Sequence, residues 1–398
     1  MKILLISRFN VPNLGDLVIS DTLYSLISRY GKTDKYNLFG EPFNFVNLNN
    51  IETNGYSLKY KLFRILKKYR LEKLITAYGL LKTKIKSKNS KTTSYEEVVD
   101  SYDLIILGGG NMLMTLDDNN STINRLDNYV DIAIKKGKKI FAMDIGIGPF
   151  FNDSDKELAI EVLNKCDYVT FRDDSSYKLF CENGGNSDTS DVSVDPVFLA
   201  NFDYEKEPTS DNAIQVGVNI IDSRLIGHDE KEYKKKLNGY ASIVNKLLNN
   251  NIKVSLFITS KEDQAALDDT FRLIRDKRNV EKIEINGINQ LIKLYSNMDL
   301  LLGTRMHSMI IAYVMGVPLV GLSWQTKVTS FFNVIDEAES CFDFKEFEKN
   351  HSLIYKTIQN KIYNSKSIIE SMKKKLETIK EKAKTSEKVL EKYARELR

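Results

Sequence analysis

Short apolar runs alternating with helical patterns constrain this fold more than any other feature of the chain. The runs are "KILLIS", "DLIILGGG", "KKIFAMDIGIG" and "DYVTFR", followed, past the polar stretch "NFDYEKEPTSDNA", by "IQVGVNI", "KVSLFIT", "KIEIN", "DLLLGT" and "PLVGLS". This is the rhythm of parallel α/β units, in which helices cover a buried sheet. It is written twice, and 398 residues exceed the size at which one core keeps growing, so two domains are expected. The polar stretch at 201–212, with Pro208 in it, is the natural boundary. It divides the chain into residues 1–205 and 210–335. Beyond Gly321 neither glycine nor proline occurs, and the end "SKSIIESMKKKLETIKEKAKTSEKVLEKYARELR" is rich in helix formers. Residues 336–398 are therefore expected to form a C-terminal helical segment.

A hydrophobic share of 42% and a charged share of 28% are those of an ordinary globular protein. No apolar run approaches the roughly 18–20 residues needed to cross a bilayer. The start "MKILLISRFN" reads as a first strand and not as a signal peptide, so a cytoplasmic protein is expected. Cys166, Cys181 and Cys341 lack CxxC spacing, and His228, His307 and His351 stand in unrelated contexts, so neither a disulfide framework nor a metal site is expected. No cofactor motif is evident either.

The net charge of +4 is unevenly placed. Residues 59–91 hold twelve Lys or Arg against the single acid Glu72, leaving the remainder net negative. Within this stretch Leu62, Ile65, Leu66, Tyr69, Leu74 and Ile75 recur near helical spacing. That pattern suits either a solvated insertion or a helix lying on an anionic membrane surface. The acidic remainder argues against nucleic acid.

Chemistry concentrates in "LLLGTRMHSMIIAYVMGVPLVGLS", residues 300–323, where an apolar strand runs into a buried apolar helix. Thr304 can cap that helix, and Arg305 to His307 would occupy its first turn, where free N–H groups and an arginine fork favour an anion. Removing Arg305 is then expected to cost binding and not folding. "CDYVTFRDDSSYKLF" repeats the logic in the first half, with a strand ending at Arg172. Two arginines, one per domain, could together neutralise a ligand with two anionic groups. Gly108, Gly109 and Gly110 in "DLIILGGGNML" stand just after a strand, without the spacing of a dinucleotide fingerprint or a P-loop. Gly146 and Gly148 in "DIGIGPF" read as a tight turn. In "FNVPNLGDLVISDTL", Asn13, Gly15 and Asp16 open a helix; Asp16 suits a sugar ligand, a base or a cap, and spacing favours the cap.

In the order of "NLGDLVI", "DLIILGGGNML", "IGIGP", "FRDDSSYKLF", "DPVF" and "GTRMHSMIIAYVMGVPLVGLSWQTKV", the sequence resembles the polysaccharide pyruvyl transferase family over roughly residues 1–335. The resemblance implies two Rossmann-like domains facing a cleft, similar to GT-B glycosyltransferases, with the C-terminal helical chain returning to the first domain. It implies transfer of a pyruvyl unit from phosphoenolpyruvate to a sugar of a cell-surface polysaccharide or its lipid-linked precursor, forming a ketal. On that basis Arg172, Arg305 and Thr304 would hold phosphoenolpyruvate, and His307 would be the proton donor or the partner of the departing phosphate. Asp16 or Asp144 would be the base, while Asn13, Gly15, Gly109, Gly110, Asn111 and Lys327 would line the acceptor or its loop. "WQTK" keeps Lys327 but departs from an aromatic-acid-Pro-Lys pattern, and the basic stretch 59–91 has no counterpart in the family pattern. The competing readings are a GT-B glycosyltransferase using a nucleotide sugar and a non-catalytic glycan-binding protein of the same fold.

Overall fold

The computed structural model describes residues 1–9, 13–42, 95–115, 118–202 and 213–397. The basic stretch 59–91 and most of the expected linker lie outside the described residues.

The first half runs β1 (Lys2–Ile6), α1 (Leu14–Ile27), β2 (Lys32–Tyr36), α2 (Tyr95–Asp100), β3 (Leu104–Leu113), α3 (Ser121–Lys135), β4 (Lys139–Ile147), α4 (Asp153–Asn164), β5 (Tyr168–Phe171), α5 (Asp174–Glu182) and β6 (Ser190–Val192). A single 3₁₀ turn, Pro196–Leu199, follows. The second half runs β7 (Gln215–Asn219), α6 (Glu230–Leu248), β8 (Lys253–Phe257), α7 (Gln264–Leu273), β9 (Val280–Ile283), α8 (Ile288–Ser296), β10 (Leu300–Gly303), α9 (Met306–Val314), β11 (Leu319–Ser323), α10 (Thr326–Val334), β12 (Cys341–Asp343), α11 (Phe347–Tyr363) and α12 (Ser365–Glu396).

Among the described residues these strands form two six-stranded sheets, ordered β2-β1-β3-β4-β5-β6 and β12-β11-β10-β7-β8-β9. Neighbouring strands pair in parallel throughout. Strand order reverses between β1 and β3 in the first sheet and between β7 and β10 in the second, and such switch points open crevices at the carboxyl ends of the strands. The loops leading into α1 and α9 lie there.

Two details differ from the sequence-based expectation. The second sheet takes its last strand, Cys341–Asp343, from inside the stretch 336–398 expected to be wholly helical. Its three residues are too few for a periodic signal to show. The glycines of "LGGG" lie within β3, not after it. Gly109 has a φ of 67° and Gly110 one of 74°, and a Cβ on Gly109 would run into Ile19 and Leu23 of α1. These glycines let α1 lie close on the sheet, so the ligand role expected of Gly109 and Gly110 gives way to packing.

One apolar cluster joins the halves. It runs from Ile3, Leu5 and Leu23 in the first domain through Met309, Ile310 and Phe332 in the second to Met372, Ile379, Leu390 and Tyr393 on α12. The last helix returns to the first domain, packing against β5, β6 and the 3₁₀ turn. No described helix is long and apolar enough to cross a membrane.

Candidate functional site

Helix α1 begins beside the second domain. Asn13 is its N-cap, its side chain accepting from the Gly15 N–H at 3.0 Å, so the cap is Asn13 and not Asp16. The Leu14 N–H donates to the Thr259 carbonyl at 3.2 Å, tying the helix start to the loop after β8. Asp16 stands in the first turn, 3.4 Å from Asn13 Nδ2. The position of Gly15 is fixed by a neighbour from the other domain: a Cβ there would lie 2.6 Å from His307 Nδ1. Only glycine admits the imidazole at this point.

Arg172 directly follows β5, its side chain folded over Gly146, where a Cβ would lie 2.5 Å from Arg172 Nε. The glycine read from sequence as a turn residue thus makes room for the guanidinium. Arg172 is buried, and it meets Asp173 Oδ2 and Asp195 Oδ2, each at 3.4 Å. Asp195 opens the "DPVF" segment as the cap of the 3₁₀ turn, its Oδ1 accepting from the Val197 N–H at 3.1 Å. Its other oxygen, Oδ2, is also 3.4 Å from His307 Nε2. Burial pushes the Asp195 carboxyl up, but His307, Arg172 and the Val197 N–H together hold it below the ordinary range.

From the second domain, β10 delivers Thr304 and Arg305. Thr304 is fully buried, its hydroxyl bonded to the Asn219 carbonyl at 3.0 Å and to the Tyr240 hydroxyl at 2.8 Å. It therefore neither caps α9 nor reaches a ligand, and the N-cap position belongs to Arg305, without a side-chain cap bond. The expected donor contact of Thr304 is corrected on this ground. Arg305 forms a two-pronged pair with Asp263, Nε to Oδ2 and Nη2 to Oδ1, both 2.8 Å, and the Asp263 side chain is 0% exposed. The arginine fork is thus partly committed before any ligand arrives.

Lys327, in the first turn of α10, has no hydrogen-bond or ion-pair partner among the described residues. Its Nζ lies 5.7 Å from the ring centre of Trp324, whose Nε1–H donates to the Thr304 carbonyl at 3.1 Å. Burial first, and then Arg172 and Arg305, push the ammonium down to about 8, with Asp16 and Asp195 acting in the opposite sense. Those electrostatic partners place Lys327 among the same residues as Arg172, Asp195, Asp16 and Arg305. Sequence reading left Lys327 to a loop; here it is the least satisfied cation of the group.

Asp144 is elsewhere. It is fully buried with a φ of 52°, its Oδ1 accepting from Thr170 at 3.1 Å and from Ser386 of α12 at 2.5 Å. No sugar hydroxyl can reach it, so it is removed as a candidate base. Asn111 donates to the Gly148 carbonyl at 2.6 Å, bracing the loop after β4. Among the described residues no group of His, Cys, Asp and Glu is placed to hold a metal ion.

Residues 13–326 match the family model for polysaccharide pyruvyl transferase. The chain belongs to the polysaccharide pyruvyl transferase family. The matched span contains Arg172, Asp195, Arg305 and His307 and ends one residue before Lys327. Solved structures similar to this pyruvyl transferase family member share its fold at low identity. HepE from Anabaena, in complex with UDP and glucose, matches with a TM-score of 0.56 and 12% identity over 98% of this chain and 99% of that one. S. aureus MnaA, solved with UDP, matches with a TM-score of 0.55 and 9% identity over 93% and 90% of the two chains. A UDP-N-acetylglucosamine 2-epimerase from Listeria monocytogenes gives 0.55 and 11% over the same shares. The pyruvyl transferase family member thus has the GT-B-like arrangement of two parallel-sheet domains.

Proposed function

We propose that this protein transfers a pyruvyl unit from phosphoenolpyruvate to two hydroxyls of one sugar, on a cell-surface polysaccharide or its lipid-linked precursor, releasing phosphate. The observation that carries the reading is the meeting of Arg172 from one domain with His307 and Lys327 from the other at the Asp195 carboxylate, with Arg305 within electrostatic reach of Lys327. A donor with a phosphate and a carboxylate suits cations supplied from two sides. Lys327 and the free N–H groups of Arg172 and Arg305 bind its charges.

In this reaction the methylene carbon of the enol ether takes a proton, and the adjoining carbon becomes an oxocarbenium-like centre. One sugar hydroxyl adds there and loses its proton. Phosphate then leaves, and the second hydroxyl closes the ketal. His307 is the proton donor, and Asp16, half-buried in the first turn of α1 and within electrostatic reach of Lys327, is the base for a hydroxyl. Preorganised cations lower the barrier to phosphate departure.

The test adds phosphoenolpyruvate, and separately UDP-sugars, to the purified protein and follows melting temperature together with the fluorescence of Trp324, the one tryptophan of the chain. A shift with phosphoenolpyruvate alone supports the proposal. A shift with a UDP-sugar alone replaces it with nucleotide-sugar transfer, and glycan that gains no pyruvyl ketal in mass spectrometry removes it. Acceptor chemistry on a lipid-linked precursor also places the protein at the inner face of the membrane, with residues 59–91 as the basic contact. Changing Lys67, Lys68, Arg70 and Lys73 to Gln should release it from anionic vesicles at low salt. Wild-type protein that ignores such vesicles ends that part of the proposal.

A further inference from the structure

Asp195 comes from a segment to which sequence reading gave no role, yet its carboxylate faces Arg172 of the first domain and His307 of the second. Its two oxygens have different duties. Oδ1 is held by the Val197 N–H, in a turn stiffened by Pro196. Oδ2 faces Arg172 Nη1 and His307 Nε2, both at 3.4 Å. The Asp195 side chain is 6% exposed and capped on its own turn, so an incoming donor cannot push it aside. The imidazole is confined as well. Its Nδ1 edge lies against Gly15 in the first turn of α1, and its Nε2 edge against Asp195.

We propose that Asp195 is the positioning residue of the site: it fixes the tautomer of His307, holding the Nε2 proton toward its own Oδ2, so that Nδ1, on the α1 side, is the nitrogen of the doubly protonated ring that gives its proton to the substrate and is left bare in the neutral ring. The tautomer assignment stands on this geometry, whereas its consequence for turnover rests on the pyruvyl-transfer reading. His307 Nε2 is buried and has no other hydrogen-bond partner among the described residues, and a carboxylate can only accept, so a neutral imidazole that turns to Asp195 presents N–H at Nε2. The charged groups that act on the pair are Arg172, just after β5, and Lys327 from α10, with the buried Asp144 of β4 opposing the Asp195 charge from farther off.

The cap makes the test sharp. In Asp195→Asn the Val197 N–H still demands an oxygen, so the amide oxygen stays at the Oδ1 position and the NH₂ takes the place of Oδ2. An NH₂ there forces Nε2 to accept, which moves the imidazole proton to Nδ1, and it also opposes the Arg172 guanidinium donor to donor. The same exchange in a serine-protease triad inverts the histidine tautomer and lowers kcat by about 10⁴-fold. The substitution keeps the cap and the volume, and Asp173 still faces the buried Arg172, so the fold is retained, as circular dichroism and the melting temperature of the variant would check. Asp195→Ser serves as a second variant, able to cap Val197 but too short to reach His307.

The measurement is nitrogen NMR of protein labelled at histidine, which has three residues in the chain, with the His307 signals identified by His307→Gln. The wild type should show a protonated Nε2 and an unprotonated Nδ1 in neutral His307, Asp195→Asn the reverse, and Asp195→Ser a mixture. Turnover of phosphoenolpyruvate should fall about 10²- to 10⁴-fold in Asp195→Asn. An unchanged tautomer in Asp195→Asn overturns the proposal, because a merely structural Asp195 would leave it so. An inverted tautomer with full turnover overturns the catalytic consequence. If the tautomer inverts while the wild type itself never consumes phosphoenolpyruvate, the positioning stands and the reaction assignment falls.

Discussion

At the residue scale the site is a set of cations whose counter-ions differ. Arg305 is joined by two 2.8 Å contacts to an Asp263 side chain that is 0% exposed, so its removal strands a buried charge. The sequence suggested that Arg305→Ala would leave folding intact; the pair reverses that expectation. Breaking a buried ion pair from one side costs about 3–5 kcal/mol, and replacing both partners with apolar residues restores much of it. Urea unfolding should therefore show a strong loss in Arg305→Ala and partial recovery in Arg305→Met combined with Asp263→Leu. A single variant with a wild-type midpoint would show that the pair carries no such weight.

Lys327 behaves oppositely, being short of negative partners, and its ammonium is pushed down to about 8 by burial and by Arg172 and Arg305. Only the charged form attracts an anionic donor, and that form is present below this value and lost above it. Phosphoenolpyruvate affinity should accordingly weaken as pH rises past about 8, with Kd growing by up to about tenfold per pH unit. Lys327→Met should bind more weakly at neutral pH and lose that slope, as calorimetric titrations at a series of pH values would show. A wild-type Kd that is flat from neutral to alkaline pH would remove Lys327 from donor binding.

At the element scale, the long helix α12 is fastened to the first sheet by polar as well as apolar contacts. The Ser386 hydroxyl donates to Asp144 Oδ1 at 2.5 Å and lies 2.9 Å from Thr170 Oγ1, while Asp144 Oδ2 has no hydrogen-bond partner among the described residues. Burial raises the Asp144 carboxyl to about 7, against the hydrogen bonds from Ser386 and Thr170. Between its ordinary value and about 7 the folded protein holds a proton there that the unfolded chain has lost. Stability contributed by this group thus falls as pH rises through that window. Asp144→Asn should remove that part of the pH dependence, so its stability relative to wild type should increase between pH 5 and pH 8 in denaturant titrations. A constant difference across the window would mean that Asp144 is ionised throughout.

The elements themselves were legible because their signals are local. Buried strands and the helices between them repeat within a few residues, and "GVP" stops α9 through backbone chemistry that needs no distant partner. Cap positions were less legible. Asn13 and Asp16 both suit an N-cap, and only the hydrogen bond to the Gly15 N–H distinguishes them. At Thr304 the cap reading failed because a buried tyrosine from α6 and the Asn219 carbonyl take the hydroxyl first.

At the scale of the whole molecule the two domains share an apolar cluster that continues onto α12, so neither half closes its core alone. Thermal unfolding should show one cooperative transition, not one per domain. A chain ending at Asn364 would expose the surfaces covered by Met372, Ile379, Leu390 and Tyr393, all nearly fully buried in the intact protein. Size-exclusion chromatography should find that truncated chain aggregated. A soluble monomer with wild-type melting behaviour would show that the helix is dispensable to the core.

Taken by itself, the sequence determined two parallel α/β domains, a helical end, and the placing of Arg172, Arg305 and His307 where strands give way to helices. Each of these follows from hydrophobic periodicity and breakers over short separations, which act the same way wherever the segment ends up. What only the tertiary structure decided is which charges face one another. Asp263 lies 42 residues from Arg305, Asp195 lies 23 from Arg172, and Ser386 lies 242 from Asp144. Electrostatic energy depends on distance in space and on burial, and neither is written in local pattern. The same is true of Gly15 and Gly146, whose missing side chains acquire meaning once His307 and Arg172 are packed against them.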